Sequence, residues 1–434
     1  MFARRAGWDL TPNELTRRVA ARREAGLPLL DLTDTNPTRC GLSAPAALLA
    51  EALSALARDP RALVYEAAPA GLAEARAAVA AHHARAGAAV APEQVLLTAG
   101  TSEGYAHLFR LLADPGDCVL VPQPSYPLFE FLAALEGVET GTYALAWRPG
   151  DRRFAIDLDS VARAAGPRTR AVVVVTPHNP TGAVVSPEEA RALRAFCAGR
   201  GLALVSDEVF ADTTGGEAPA PGLLSGSDAE DGPLTFVLSG LSKMLALPQA
   251  KLAWIVVSGP AAQRDEAIAR LEILADTFLS VNGPFQTLVP RLLAGREAVR
   301  RELCARLARN RAALDEALAG CRRVSRLPSE AGWSAIVRVA PTGAAEPPDE
   351  EALVLDLLDR DGLLVHPGFF FDLAPDATGS PAAHLVLSLL PDTARFRDGA
   401  RRLAAAAEAA AVGGGGADGA PSCSSPFEEA EPSA

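Results

Sequence analysis

Residues 94–257 alternate short, continuously apolar runs with amphipathic stretches, and few architectures accept that pattern. The apolar runs lie at 94–98, 118–121, 171–176, 202–206, 235–238 and 252–257 and are rich in Val and Leu. Strands of this kind are buried on both faces, which calls for a mostly parallel sheet covered by helices on either side. Helical patterns at 102–112, 127–135 and 187–198 fall between them. The last opens at Ser186-Pro187-Glu188-Glu189, with a capping serine, proline at the first helical position and acids in the first turn. From residue 284 onward long Ala/Leu/Arg helices dominate, followed by apolar runs at 334–339, 362–366 and 384–390. The expected architecture is α/β. A large, mostly parallel sheet domain at 46–290 is joined by a smaller α+β domain at 291–411, to which an N-terminal arm at 1–45 also belongs.

Composition narrows what such a fold can serve. With 49% hydrophobic and 22% charged residues the 434-residue chain can bury a sizeable core, yet no apolar run approaches a membrane span. A net charge of −12 argues against a nucleic-acid backbone as the main partner. The six cysteines are scattered, without metal-ligand spacing or disulfide-scaffold density, so a reducing cytoplasm and no bound metal are expected. Met1 to Gly7 carry two arginines with no apolar stretch behind them, so no signal peptide is expected. Segment 213–233, rich in Gly, Pro, Ser and Asp, reads as a long surface loop. From Val412 the composition collapses into Gly, Ala, Ser, Pro and acids, and 412–434 is expected to be a disordered acidic tail.

In a parallel sheet, ligands gather where the strands end. Four predicted strand ends carry polar groups. The first is followed by Ala99-Gly100-Thr101-Ser102-Glu103, small residues opening a helix whose free N–H groups favour an anion. The second leads into His178-Asn179-Pro180-Thr181-Gly182, and the third into Ser206-Asp207-Glu208-Val209-Phe210. An acid at the end of a buried strand is penalised unless it meets a cation, which points Asp207 towards a buried positive group. The fourth end is Ser239-Gly240-Leu241-Ser242-Lys243, where a lysine closes an apolar run. Taken singly, these fit an N-cap, a tight turn, a loop acid and a surface turn. As a set they match a phosphate cradle, a donor to a ring substituent, a partner for a pyridinium nitrogen and a Schiff-base lysine.

With these motifs in this order the chain resembles the class I/II aminotransferases of the aspartate aminotransferase superfamily, pyridoxal-phosphate-dependent transferases of fold type I. The resemblance covers roughly residues 30–403 and implies pyridoxal 5′-phosphate as cofactor, bound in the large domain. It assigns Lys243 as the lysine that bonds the cofactor and shuttles the substrate α-proton, and Asp207 as partner of the ring nitrogen. Asn179 becomes a donor to the ring phenolate oxygen. Gly100, Thr101 and Ser102 match the phosphate-binding turn, and Ser239 and Ser242 join the cofactor-binding set. Tyr126, in Pro124-Ser125-Tyr126-Pro127, stands where the family stacks an aromatic ring on the cofactor. Tyr65 resembles the tyrosine that reaches the neighbouring subunit's cofactor phosphate, which implies a homodimer with shared active sites.

Three positions depart from the family. The arginine usual eight residues after the lysine is Lys251, which keeps the charge but loses bidentate geometry. The tyrosine usual three residues after the aspartate is Phe210, so one donor to the cofactor's phenolate oxygen is gone. The C-terminal arginine that grips the substrate α-carboxylate is Val386. Arg39, beside Asn36 in the segment that lines the substrate mouth, is the replacement expected, with His384 a weaker candidate. Asn-Pro-Thr-Arg, Asp-Glu-Val-Phe, Gly-Leu-Ser-Lys and Leu-Val-Leu-Ser-Leu-Leu nevertheless occur together, as in one atypical branch of the superfamily. The expected activity is transfer of an amino group between an amino acid and a 2-oxo acid by a ping-pong mechanism. A pyridoxal-phosphate-dependent carbon–sulfur β-lyase and a cofactor-binding, non-catalytic homologue are the alternatives.

Overall fold

The computed structural model describes residues 2–216, 219–224, 231–341 and 346–413. Of the acidic tail expected at 412–434, Val412 and Gly413 close the helix Thr393–Gly413; the rest of it, and parts of the loop expected at 213–233, lie outside these residues. The apolar runs of the first half form a large sheet whose strands, in chain order, are β1 Val95–Thr98, β2 Cys118–Gln123, β3 Glu139–Arg148, β4 Arg153–Ile156, β5 Thr169–Val175, β6 Ala203–Asp207, β7 Thr235–Gly240 and β8 Ala253–Ser258. Their spatial order is β1-β8-β7-β6-β5-β2-β3-β4. The central pairs β3/β2, β2/β5, β5/β6 and β6/β7 are parallel. β8 runs antiparallel to both β7 and β1, and β4 antiparallel to β3, so the sheet is mixed at its edges.

The continuous Val/Leu runs follow from helices on both sides. Val121, Val173, Val205, Leu238 and Ile255 pack on one face with Tyr105, Leu108 and Phe109 of the helix α1, Thr101–Leu112. Leu120, Val172, Val174 and Leu204 point the other way, against Leu193 and Cys197 of α2, Pro187–Arg200. Successive strand residues face opposite sides, so burial on both removes any period-two pattern. Each such side chain contributes about 1.5–3 kcal/mol relative to exposure.

A four-stranded sheet, built from Val324–Arg326, Ser334–Val339, Ala383–Ser388 and His366–Pro367, is antiparallel throughout. The run at 362–366 splits between this sheet and a separate parallel pair, Leu30–Asp31 with Leu363–Leu364. Leu15, Val19, Leu32, Cys40 and Leu42 share one buried cluster with residues from Leu303 to Ala407. No described helix is long and apolar enough to cross a membrane.

Candidate active site

The loops that leave β5, β6 and β7 meet the segment 329–334: Gly182 touches Glu330 and Ala331, and Phe210 and Lys243 stand against Trp333. Lys243 lies in a helical turn, Leu241–Met244, that leaves β7 directly. Gly240 makes this exit possible. A Cβ there would stand 2.7 Å from the Ala253 Cβ and 2.9 Å from its Cα, so a side chain would wedge β7 off β8. The Lys243 Nζ sits 4.8 Å from the centre of the Trp333 ring and 5.9 Å from that of Phe210. The two rings meet edge to face at 5.1 Å. Burial lowers the lysine's pKa from its ordinary value, and the Asp207 charge acts against that shift.

Asp207 closes β6 one strand away, paired with Leu238 of β7. Its Oδ1 accepts the Val209 N–H at 3.1 Å, and its Oδ2 accepts the Tyr105 hydroxyl at 3.0 Å. Burial pushes its pKa up to about 6, against the pull of those two donors and of the Lys243 charge. A partly buried amine and a buried carboxylate thus end adjacent strands, each held away from its preferred charge state. That suits an amine that takes up a proton and a carboxylate that receives a cation.

The turn after β1 opens α1 at Gly100, and no side chain caps the helix there. The first N–H groups of a helix have no intrahelical acceptor, and their dipole end favours an anion. Glu103 Oε2 takes the Ala99 N–H at 2.6 Å, just ahead of the amides of Thr101 and Ser102. The Lys251 Nζ is 3.5 Å from where a Cβ on Gly100 would stand, so the cation meets the helix end. Lys251 itself adopts a left-handed backbone, φ 47°, after the turn Pro248–Ala250. Lys243 and Lys251 are the only lysines in the chain. Ser239 is buried at the end of β7 and Ser242 is partly exposed beside Lys243.

The loop after β5 is fastened to the opposite wall. Asn179 Oδ1 accepts the Ser334 hydroxyl at 3.0 Å, and Gly182, at φ 68°, accepts the backbone N–H groups of Glu330 and Ala331. A Cβ on Gly182 would fall 2.3 Å from the Ala331 carbonyl oxygen, so only glycine brings these segments together. Tyr126 is half exposed, its ring 6.3 Å from that of Phe371. Tyr65 is 80% exposed, next to the exposed Leu63 and Val64.

Position 386 is a core position. Val386 is buried opposite Ile336 and His366, among Leu327, Phe371 and Leu373. His384, the weaker substrate candidate, is fully buried, its backbone N–H held by Glu350 Oε1 at 2.7 Å, so no substrate reaches it. The N-terminal segment runs alongside the same strand. The Ser388 N–H donates to Leu32 O at 2.6 Å, and Arg306 Nη1 donates to Cys40 O and Leu390 O at 2.7 and 2.9 Å. Between those anchors Asn36 caps the turn Pro37–Arg39 through the Thr38 N–H and hydroxyl, and Arg39 is exposed.

Sequence reasoning missed Tyr105 and Trp333. Tyr105 had a signal, since it lies one helical turn after Thr101 on the face that carries the phosphate turn. Trp333 had none in its neighbourhood, because its place over Lys243 depends on how the two halves of the chain meet. The donor set fits pyridoxal phosphate: a strand-end amine over aromatic rings, a buried carboxylate on the next strand, and a lysine at an uncapped helix end.

Comparison with known proteins places the chain in a family. A family model for aminotransferase class I and II matches residues 39–418. The chain is 31% identical over 334 residues to the arginine–pyruvate transaminase AruH of Pseudomonas aeruginosa, covering 74% of this chain and 77% of that protein. It is also 31% identical over 377 residues to an alanine aminotransferase of Mycobacterium bovis, covering 86% and 84%. The fold superposes on an aminotransferase from Escherichia coli with a TM-score of 0.79 at 24% identity, covering 93% of this chain and 97% of that one.

Proposed function

The chain belongs to the class I and II aminotransferases, pyridoxal-phosphate-dependent enzymes that transfer an amino group between an amino acid and a 2-oxo acid, and from that premise we propose how its own residues divide the work. Bound pyridoxal phosphate supplies an electrophilic carbon and a ring that withdraws electrons from the substrate Cα. Lys243 Nζ would hold the cofactor covalently and, as a free amine, would serve as the base for the substrate Cα proton. Its lowered pKa supports this role, since a neutral amine is the base. The Asp207 carboxylate holds the proton on the ring nitrogen. The amides of Gly100, Thr101 and Ser102, with the Lys251 ammonium and the hydroxyls of Ser239 and Ser242, hold the phosphate. Tyr126 would supply an aromatic face to the ring, and Asn179 would offer its amide NH2 as a donor, its Oδ1 being engaged by Ser334.

The observation that carries this reading is the pair of adjacent strand ends, Asp207 and Lys243, with Trp333 over the amine. Arg39, with the Asn36 amide, receives the substrate carboxylate that position 386 cannot. Support comes from Leu32, anchored on Ser388 of the strand of Val386, and from Arg306, which ties Cys40 to Leu390 just beyond it. One site serves donor and acceptor in turn, so the kinetics are ping-pong. The enzyme works as a homodimer in which Tyr65 completes the neighbouring phosphate site, and the exposure of 63–65 supports this. The five described cysteines are unpaired, which supports a cytoplasmic location.

A spectrophotometric half-reaction screen tests the assignment. With a productive amino acid, the cofactor band of the wild-type enzyme converts to that of pyridoxamine phosphate, and Lys243→Ala abolishes the conversion. Arg39→Ala raises KM for the donor at least 10-fold. Full turnover by Arg39→Ala with every donor would remove the carboxylate assignment. Release of pyruvate and ammonia from a cysteine conjugate without any oxo acid would favour β-elimination.

A further inference from the structure

The helix that presents its N-terminus to the phosphate also reaches the other end of the cofactor site. Tyr105 lies in the second turn of α1 and is buried, its ring fixed by Phe129 at 5.3 Å edge to face and by Phe109 at 5.9 Å. Its hydroxyl reaches Asp207 Oδ2 at 3.0 Å, while Val209 N–H occupies Oδ1. We propose that Tyr105 is a positioning residue for this reaction, whose hydroxyl fixes the Asp207 carboxylate in the orientation, and the charged form, that a protonated ring nitrogen requires. The inference rests on the assignment of Asp207 given above.

A carboxylate enclosed by apolar strands loses hydration and prefers to be neutral. A neutral Asp207 cannot hold the ring proton by charge, so the electron-withdrawing power of the ring would fall. Two donors to the carboxylate oppose this, one a backbone N–H fixed by the chain and the other the Tyr105 phenol. The ionisable groups acting on Asp207 are Tyr105 from α1 and Lys243 from the turn after β7; the neighbouring Glu208 shares its strand end, and Tyr143 of β3 acts on Tyr105. Tyr105 therefore does for the nitrogen side of the ring what Phe210 does not do for the oxygen side. It also couples the two ends of the site through one rigid element, because α1 sets both the phosphate amides and the phenol.

Tyr105→Phe removes one oxygen and keeps the ring packing, so the apoprotein should melt within about 2 °C of wild type. The dissociation constant of pyridoxal 5′-phosphate is then measured by equilibrium titration of the apoenzyme from pH 5 to 9, with Asp207→Asn as reference. The expected result for Tyr105→Phe is binding weakened about 10-fold at neutral pH. The acid limb, where affinity falls off, is expected to move up by about one pH unit. Half-reaction rates should fall with the same shifted limb while KM for the amino acid stays within 2-fold. A purely structural tyrosine would leave the limb in place. An unmoved limb and unchanged affinity in Tyr105→Phe, with Asp207→Asn impaired, overturns the proposal alone. An unimpaired Asp207→Asn overturns the assignment of Asp207 beneath it.

Discussion

A carboxyl group shut away from water prefers to keep its proton, and this site holds two in succession. Burial pushes Asp207 to about 6 and Glu208 to about 7. Glu208 turns towards the segment at 222–223. Its Oε1 accepts the Ser206 hydroxyl at 2.9 Å and the Leu223 N–H at 2.8 Å, fastening the segment beyond Thr213 to β6. Its folded pKa lies above the unfolded value, so the native state binds the proton more tightly and ionisation costs stability. That cost is absent below about pH 4.5 and complete above about pH 7. Glu208→Gln keeps the acceptor, and any offset from its new NH2 group is the same at every pH. Apoprotein melts should show the variant gaining on wild type between pH 5 and pH 8 by up to about 3 kcal/mol; a constant gap would mean that Glu208 is charged throughout. The buried strand-end position of Asp207 was legible in the sequence because it closes a continuous apolar run. Its partner Tyr105 was not, because the two are 102 residues apart and only the packing of α1 on the sheet joins them.

At the level of elements, the continuous apolar runs located the interior strands and the capping box at Ser186 located a helix. The edge hairpin β3–β4 was overlooked. β3 buries Tyr143 and Leu145 between exposed residues and carries two threonines near its start, so it lacks the unbroken Val/Leu signal of its neighbours. The reversed direction of β8 was equally hidden, since an antiparallel strand covered on both faces reads like a parallel one. The junction of β7 and β8 is where sequence and packing constrain each other most. Gly240→Ala places a methyl group against the backbone of Ala253, with no flexible side chain to yield. Overpacking of this kind costs about 1–3 kcal/mol. Because Lys243 lies three residues further on, thermal melts should show lower stability, and absorbance should show less cofactor per chain. A variant with wild-type melting and full cofactor content would show that the strands separate freely there.

Across the whole molecule, the missing arginine at 386 makes sense only when both ends of the chain are considered together. Val386 is packed into the core between the sheets, while Arg306 and the Ser388 N–H pin the N-terminal segment beside the same strand. No local pattern announces such a union of residues near 35 with residues near 388. If a second copy covers Leu63, Val64 and Tyr65, sedimentation equilibrium should return about twice the mass of one chain. Tyr65→Phe should then leave the dimer intact while weakening pyridoxal phosphate binding about 5-fold; a monomer at micromolar concentration would refute the shared site.

The two lysines have a further consequence. Every other basic side chain apart from the histidines is arginine, so the surface offers guanidinium groups where most proteins offer primary amines. Any acylating, glycating or crosslinking reagent that seeks an alkyl amine finds, beyond the chain's α-amino group, only Lys243 and Lys251. Amine labelling, which usually reports total surface, becomes on this protein, once the α-amino group is subtracted, a report on the accessibility of these two side chains.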